Sequence, residues 1–295
     1  MSNTEEEETP LASAAAAAVF VRRGLKGSFA KPKATRIITI VNQKGGVGKT
    51  TSAVNLAAAM GLAGLNVLVI DLDPQGNAST AFGIDHYEDA SGSFDVLLDG
   101  ASIAEMVSPA QSFDSLWVLP ATLDLAGADI ELITSVPELE RPFLLKVALT
   151  QFLADHEMDY VFIDCPPSLG LLTINALAAV QEVLIPIQCE FYALEGVQQL
   201  LRTIEFVKER LNPELDVSTI LLTMYNPSTN LSTSVVEEVR GYFGNKVLDT
   251  VIPRSTYVAE APSFGQSVMT YDPGSTGAVA YLAAAREITD RKWKG

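Results

Sequence analysis

The sequence predicts an α/β fold, a single domain built on a mostly parallel, twisted sheet covered by helices on both faces. Three observations point to it. Short runs rich in Val, Ile and Leu recur along the chain without the polar alternation of a half-exposed strand, as suits strands buried on both faces. Helix-compatible stretches separate most of these runs, and such alternation implies parallel strands covered by helices. The 295 residues, 48% of them hydrophobic, suffice for one large core, and no internal repeat suggests an array instead.

Taken in order, residues 1–35 stand apart. An acidic run, Glu5 to Glu8, leads into Ala14 to Ala18 and then a basic stretch with Arg22, Arg23, Lys26, Lys31 and Lys33. This composition predicts a flexible N-terminal extension, either a mobile tail with a short helix or a docking peptide. The folded domain is expected over 36–295. Its strands are expected at Arg36–Val41, Asn66–Asp71, Leu116–Leu119, Tyr160–Asp164, Val183–Ile187, Ser218–Met224 and Lys246–Val251. Helices are expected at Ser52–Leu62, Phe143–His156, Leu194–Leu211 and Val235–Phe243, with a packed terminal helix around Gly277–Ala285. Residues 85–115 are the least regular and read as a surface excursion.

Composition excludes several classes. Two cysteines, Cys165 and Cys189, make no disulfide framework, and two histidines, His86 and His156, make no metal cluster. Both fit a reducing compartment. The N-terminus is acidic where a secretory signal would be basic. No apolar run reaches the ~20 residues that a membrane span needs. The expectation is a cytoplasmic protein that does not cross or bind the membrane. The net charge of −16 disfavours general attraction to nucleic acid or anionic lipid, though a basic patch on one face is compatible with it.

The chemistry begins in the loop after the first strand, Lys44-Gly45-Gly46-Val47-Gly48-Lys49-Thr50-Thr51. A glycine loop between a strand and a helix N-terminus is how proteins cradle a nucleotide triphosphate, giving the P-loop fold. Backbone N–H groups and the helix dipole favour the phosphates, Lys49 reaches the β/γ-phosphates, and the Thr50 hydroxyl serves Mg²⁺. One feature is unusual. The ordinary pattern places a glycine five residues before the last glycine; Gln43 stands there, followed by a second lysine, Lys44.

Two further segments agree. Leu68-Val69-Ile70-Asp71-Leu72-Asp73-Pro74-Gln75-Gly76-Asn77 ends an apolar strand in two carboxylates. In a parallel sheet the C-terminal strand ends face the ligand crevice, so one carboxylate can orient the attacking water and the other can support the metal shell. Tyr160-Val161-Phe162-Ile163-Asp164-Cys165-Pro166-Pro167-Ser168 ends a second strand in Asp164, the usual second Mg²⁺ partner. Pro166 and Pro167 stiffen the loop that follows, which suits a segment sensing the γ-phosphate. Cys165 and Cys189 are expected to pack in the sheet rather than react.

Through these residues and several later segments the chain resembles the ParA/Soj branch of the deviant-Walker ATPases. The resemblance rests on Gln43–Thr51, Asp71–Asn77, Asp164–Gly170, Pro186–Gly196, Thr229-Asn230-Leu231, Ile252-Pro253-Arg254, Glu260-Ala261-Pro262-Ser263 and Tyr271-Asp272-Pro273, in order over roughly 36–290. It implies chromosome or plasmid partitioning by a slow, partner-stimulated ATPase that binds ATP and Mg²⁺ as a face-to-face homodimer and works with a ParB-like, DNA-bound partner at the nucleoid. By the same resemblance, Lys44 crosses to the γ-phosphate held by the other subunit and Gly45 lets two backbones approach closely. Asp73 matches the position needed for hydrolysis. Lys49, Thr50, Thr51 and Asp164 match the ATP and Mg²⁺ positions, and Asp71 is placed with the metal group. Met224 and Pro253 fall on segments near the adenine.

The chain departs from that family at three points. Relatives carry exposed arginines that bind DNA; Ser228 and Tyr257 occupy those positions here, and Ala259 replaces a neighbouring serine. Nonspecific DNA binding follows phosphate neutralisation, so a dimer without these side chains loses about four contacts, each carrying a salt slope near −0.9. Arg254, Arg240, Lys246 and Arg291-Lys292-Trp293-Lys294 remain as substitutes. The alternative expectation is a relative that acts in division or chromosome organisation through protein partners alone. Two other readings are disfavoured. A membrane-binding relative of the MinD type would need an amphipathic end, for which Arg291–Gly295 is too short. An iron–sulfur reductase would need ligand cysteines, to which neither Cys165 nor Cys189 corresponds.

Overall fold

The structure, a computed structural model, describes residues 29–87 and 90–291. In chain order the strands are β1 (Arg36–Ile40), β2 (Val67–Asp71), β3 (Ser108–Pro109), β4 (Leu116–Leu119), β5 (Tyr160–Asp164), β6 (Glu182–Gln188), β7 (Asp216–Tyr225) and β8 (Val247–Pro253). The helices are α1 (Lys49–Leu62), α2 (Asn77–Ala81), α3 (Ile103–Met106), α4 (Ala128–Ser135), α5 (Leu144–Asp155), α6 (Leu171–Ala179), α7 (Glu195–Arg210), α8 (Asn230–Phe243), α9 (Thr256–Glu260), α10 (Val268–Tyr271) and α11 (Thr276–Asp290). The eight strands form one sheet in the order β3-β4-β2-β5-β1-β6-β7-β8. All neighbours pair in parallel except β3, which runs antiparallel to β4.

Alternation along each strand builds two cores. Ile37, Leu68, Ile70, Val161 and Ile163 face one layer, with Leu132, Leu145, Leu149, Leu172, Leu200 and Val239 from α4 to α8 above them. Ile38, Ile40, Val67, Val69, Tyr160 and Phe162 face the other, packed by Leu56 and Met60 of α1 and Tyr281, Ala284 and Ile288 of α11. Apolar residues on both sides of the central strands explain why the sequence shows runs rather than alternation.

Some boundaries differ from the sequence expectation. The first helix begins at Lys49 rather than Ser52, so Lys49, Thr50 and Thr51 form its first turn. The last strand runs Val247–Pro253, placing Pro253 within the sheet. The excursion at 85–115 is partly ordered by packing: Val96, Leu97 and Ile103 are buried, and β3 extends the sheet. Of the extension expected over 1–35, residues 1–28 lie outside the described residues. Beyond them Phe29 is buried, and the Thr35 hydroxyl donates to the Met158 carbonyl at 2.8 Å.

The N-terminal end of the sheet is tied by Arg36. Its guanidinium meets both carboxylate oxygens of buried Glu182 at 2.7 and 2.8 Å and donates to the Ile288 carbonyl at 2.6 Å. A bidentate pair with a further acceptor satisfies a charge that burial would otherwise penalise. It joins the starts of β1 and β6 to α11. At the other end of α11, the Ser275 hydroxyl caps the helix by accepting from Ala278 N at 3.3 Å. Ser275→Ala is expected to lower unfolding free energy by about 1 kcal/mol. Urea denaturation checks this; an unchanged midpoint would show that the cap contributes nothing.

Candidate functional site

The C-terminal ends of β1, β2 and β5 converge on residues 41–48, the loop between β1 and α1. Gly46 and Gly48 take φ of 73° and 87°, the left-handed region that costs a side chain energy. Gly48 stands at the N-terminus of α1 with no side chain to cap it, leaving the first-turn N–H groups directed toward the loop. Two tethers hold the loop to neighbouring strands. The Thr223 hydroxyl donates to the Val47 carbonyl at 2.9 Å, and the Asn42 amide donates to the Pro186 carbonyl at 2.8 Å. Asn42 also accepts from Lys44 N at 3.0 Å. Neither Thr223 nor Asn42 stands out in the sequence, because their partners are far away along the chain.

The two lysines of the loop have opposite surroundings. Lys49 is buried, its ammonium 3.5 Å from the Lys44 carbonyl. Burial lowers its pKa, and the nearby charges of Asp164 and Asp73 oppose that shift. Lys44 is exposed and pairs with Glu190, which follows β6. Gly45 and Gly46 beside it are also exposed. A Cβ added to Gly45 would meet nothing within 4 Å, and Gly45 does not adopt a positive φ. The chain's own fold therefore gives no reason for glycine at position 45.

The three carboxylates are equally distinct. Asp71 and Asp164 are register partners at the ends of β2 and β5, both fully buried. Asp71 is committed: one oxygen accepts from Ser79 N at 2.9 Å and Ser79 Oγ at 2.7 Å, the other from Asp73 N at 3.2 Å. Burial nevertheless pushes its pKa up to about 6. Neither oxygen of Asp164 meets a partner at full hydrogen-bond geometry, and the Thr50 hydroxyl is close enough only to moderate its pKa. Burial first, and then the charge of Asp71, raise its pKa well above the usual carboxylate range. Asp73 is buried less deeply; its oxygen accepts from Gln75 N at 3.0 Å in the turn that leads to α2. Gly76 closes that turn with φ of 61° against the ring of His86.

An orphaned buried carboxylate is expensive unless a cation completes it. Asp164, Thr50 on the first turn of α1 and the glycine loop make a donor set of hard oxygens beside backbone N–H groups, and this fits Mg²⁺ with a nucleotide phosphate. Asp164→Asn removes the desolvated charge. The unliganded protein should gain about 1–3 kcal/mol of stability at pH 7, while losing the thermal stabilisation that Mg²⁺ and ATP give the unaltered protein. Thermal melts with and without Mg·ATP check both signs; an Asp164→Asn variant that Mg·ATP still stabilises fully would remove Asp164 from the metal site.

Other expected residues fall where they can contribute. Met224 and Pro253 lie at the same ends of adjacent strands, next to the register pair Tyr225–Pro253, and Met224 holds a positive φ of 53°. Ser228 and Tyr257 are both exposed. Arg254 is exposed with no side-chain partner among the described residues, whereas Arg240 donates to the Asp249 carbonyl and Lys246 pairs with Asp216. Burial pushes the thiols of Cys165 and Cys189 up to about 12 and about 11, which makes both unreactive.

The chain is similar to known proteins over most of its length. Residues 35–217 match the family model described as an AAA domain. The chain is 49% identical over 253 residues to the sporulation initiation inhibitor protein Soj of Bacillus subtilis, covering 86% of this chain and 98% of that one. It is 49% identical over 256 residues to the chromosome partitioning protein ParA of Myxococcus xanthus, covering 87% and 88%. Among solved structures, cobyrinic acid a,c-diamide synthase from Mycobacterium smegmatis with bound ADP and magnesium aligns with a TM-score of 0.72 at 36% identity, over 85% of this chain and 92% of that one.

Proposed function

The chain belongs to the ParA/Soj family of partitioning ATPases, and on that premise we propose that its two loop lysines divide one reaction between two subunits of an ATP-gated homodimer. The protein is a Mg²⁺-dependent ATPase of chromosome partitioning, hydrolysing ATP to ADP and phosphate. The observation that carries the dimer geometry is Gly45, exposed and bare where its own chain needs no glycine, next to an exposed Lys44. A second backbone can approach there, and Lys44 can leave Glu190 for a phosphate on the facing subunit.

Within one subunit, the N–H groups at the start of α1 and Lys49 hold the phosphates. Asp164 and Thr50 would hold Mg²⁺, which when bound would neutralise phosphate charge. Asp73 orients the attacking water. Asp71 organises the Asp73 turn through Ser79 rather than facing the metal, because its oxygens are already engaged. Met224 and Pro253 border the base. Lys44 and Lys49 together oppose the charge that develops on the transferred group.

Gly45→Val tests the dimer geometry. The variant should keep its melting temperature and bind ATP, yet remain a monomer in sedimentation with ATP. An ATP-dependent dimer of the Gly45→Val variant would place the interface elsewhere.

The dimer is proposed to act in the cytoplasm on the nucleoid, with a ParB-like protein stimulating hydrolysis. Among the described residues no helix is long and apolar enough to cross a membrane. With Ser228 and Tyr257 in place of arginines, the DNA contact is proposed to rest on Arg254, exposed and without a side-chain partner among the described residues, so binding is expected to be weak and salt-sensitive. Mobility shifts with ATP across a salt series test this. Arg254→Ala should flatten the slope of log K against log salt by about 2 per dimer, one contact per subunit. Absence of binding at low salt would leave protein partners as the only means of positioning.

A further inference from the structure

The loop 165–170 joins Asp164, at the end of β5, to the first turn of α6, and it carries Pro166 and Pro167. Two prolines fix φ along the loop, so its path depends on where its ends are held. The near end is set by β5 in the middle of the sheet. The far end is the N-terminus of α6, where Gly170 offers no capping side chain and the first turn holds no acidic residue. The free N–H groups of that turn need an acceptor from elsewhere. Asp129, on α4, supplies one: a carboxylate oxygen accepts from Leu172 N at 3.3 Å. The other oxygen lies so close to Gly170 that a Cβ there would stand 2.1 Å from it. Glycine at position 170 therefore answers to this close approach and not to its backbone, whose φ of −80° suits any residue.

We propose that Asp129 is a positioning residue for hydrolysis: from α4 it caps α6 and thereby fixes the loop 165–170 for contact with the γ-phosphate. Both helices are anchored independently of this contact. Ala128 and Leu132 set α4 in the core, and the Arg141 guanidinium closes its far end on the carbonyls of Ile133 and Val136 at 2.6 and 2.8 Å. Asn175 ties the body of α6 to the segment that opens α5. Its side-chain oxygen accepts from Leu145 N at 3.2 Å, and its amide donates to the Arg141 carbonyl at 2.7 Å. Asp129 therefore decides only the first turn of α6 and the loop before it. There the Thr173 hydroxyl donates to the Ser168 carbonyl at 2.7 Å, which carries the position of that turn into the loop. The positive end of the α6 dipole also favours a carboxylate at this place. The proposal rests on the reading of Asp164 as the Mg²⁺ residue, and adds to it a side chain from a distant helix that holds the loop following Asp164.

Affinities of the full chain for the β,γ-imido analogue of ATP and for ADP, both with Mg²⁺, test the proposal, because only the first carries a γ-phosphoryl group. Asp129→Ala should lower the preference for the ATP analogue over ADP about tenfold, the scale of one hydrogen bond to a charged group. It should lower kcat by a similar factor and leave ADP affinity unchanged. Asp129→Asn keeps an acceptor for Leu172 N and should restore most of both. A cap that serves stability alone would lower the melting temperature of Asp129→Ala while leaving nucleotide preference and kcat as they were, and that result would overturn the proposal. Gly170→Ala is an independent check. Its Cβ displaces the carboxylate, so it should reproduce the Asp129→Ala loss, and the two changes together should cost no more than either alone. Additive losses would overturn the shared contact. An unaltered chain to which Mg²⁺ gave no gain in affinity for the ATP analogue would instead overturn the reading of Asp164, and this proposal with it.

Discussion

Lys44→Ala is expected to abolish ATP-driven dimerisation and to lower hydrolysis by on the order of a thousandfold, the scale of a charge supplied in trans to a transferring phosphoryl group. The fold should be untouched. Lys44 is exposed, and Glu190, its side-chain partner among the described residues, is only partly covered; such surface pairs contribute about 0–1 kcal/mol. ATP binding should persist, because Lys49, the glycine loop and the α1 N-terminus remain. Sedimentation velocity with and without ATP, alongside phosphate release, reads both effects. Glu190→Gln is the control. It breaks the same ion pair but keeps the ammonium, so it should dimerise with ATP. If Glu190→Gln reproduced the Lys44→Ala loss, the lysine would matter for holding its own loop and not for reaching another subunit.

Asp73→Ala is expected to separate the two events that Lys44→Ala removes together. Hydrolysis should fall by about 10²–10⁴, the usual contribution of a group that positions or deprotonates the attacking nucleophile, while ATP still drives dimerisation. The expectation follows from the division among the carboxylates. Asp71 is consumed by Ser79 and the Asp73 backbone, and Asp164 is the buried orphan that suits a cation. Asp73, at the turn and less deeply buried, is the one left to face water. Single-turnover hydrolysis and ATP-dependent sedimentation, measured on one preparation, test this directly. An Asp73→Ala variant that neither hydrolyses nor dimerises would give Asp73 a role in building the loop instead.

The parts legible in the sequence share one property: each is local. The phosphate loop is a run of eight residues whose spacing alone sets which N–H groups and which lysine meet a phosphate. The apolar runs ending in Asp71 and Asp164 mark strands buried on both faces, and the parallel sheet follows from their alternation with helices. The first turn of α1 is harder to read. The loop glycines suggest a later start at Ser52, yet the helix begins at Lys49 because Gly48 supplies the left-handed residue that lets the backbone turn into it. Residues 85–115 look irregular since the packing that orders Val96, Leu97 and Ile103 is supplied by other segments.

Covalent spacing and hydrophobic period carry the fold class and the phosphate loop, and the ordered run of motifs carries the resemblance that implies the other residues expected to meet ATP and Mg²⁺, because that information sits within short windows of the chain. How those residues divide the work is a property of the assembled sheet. Assembly placed β1 between β5 and β6, set Asp71 beside Asp164 and engaged one of them with Ser79, buried Lys49 and left Lys44 at the surface against Glu190. Those distinctions depend on desolvation and on partners brought from distant positions, and neither quantity exists until the strands have paired.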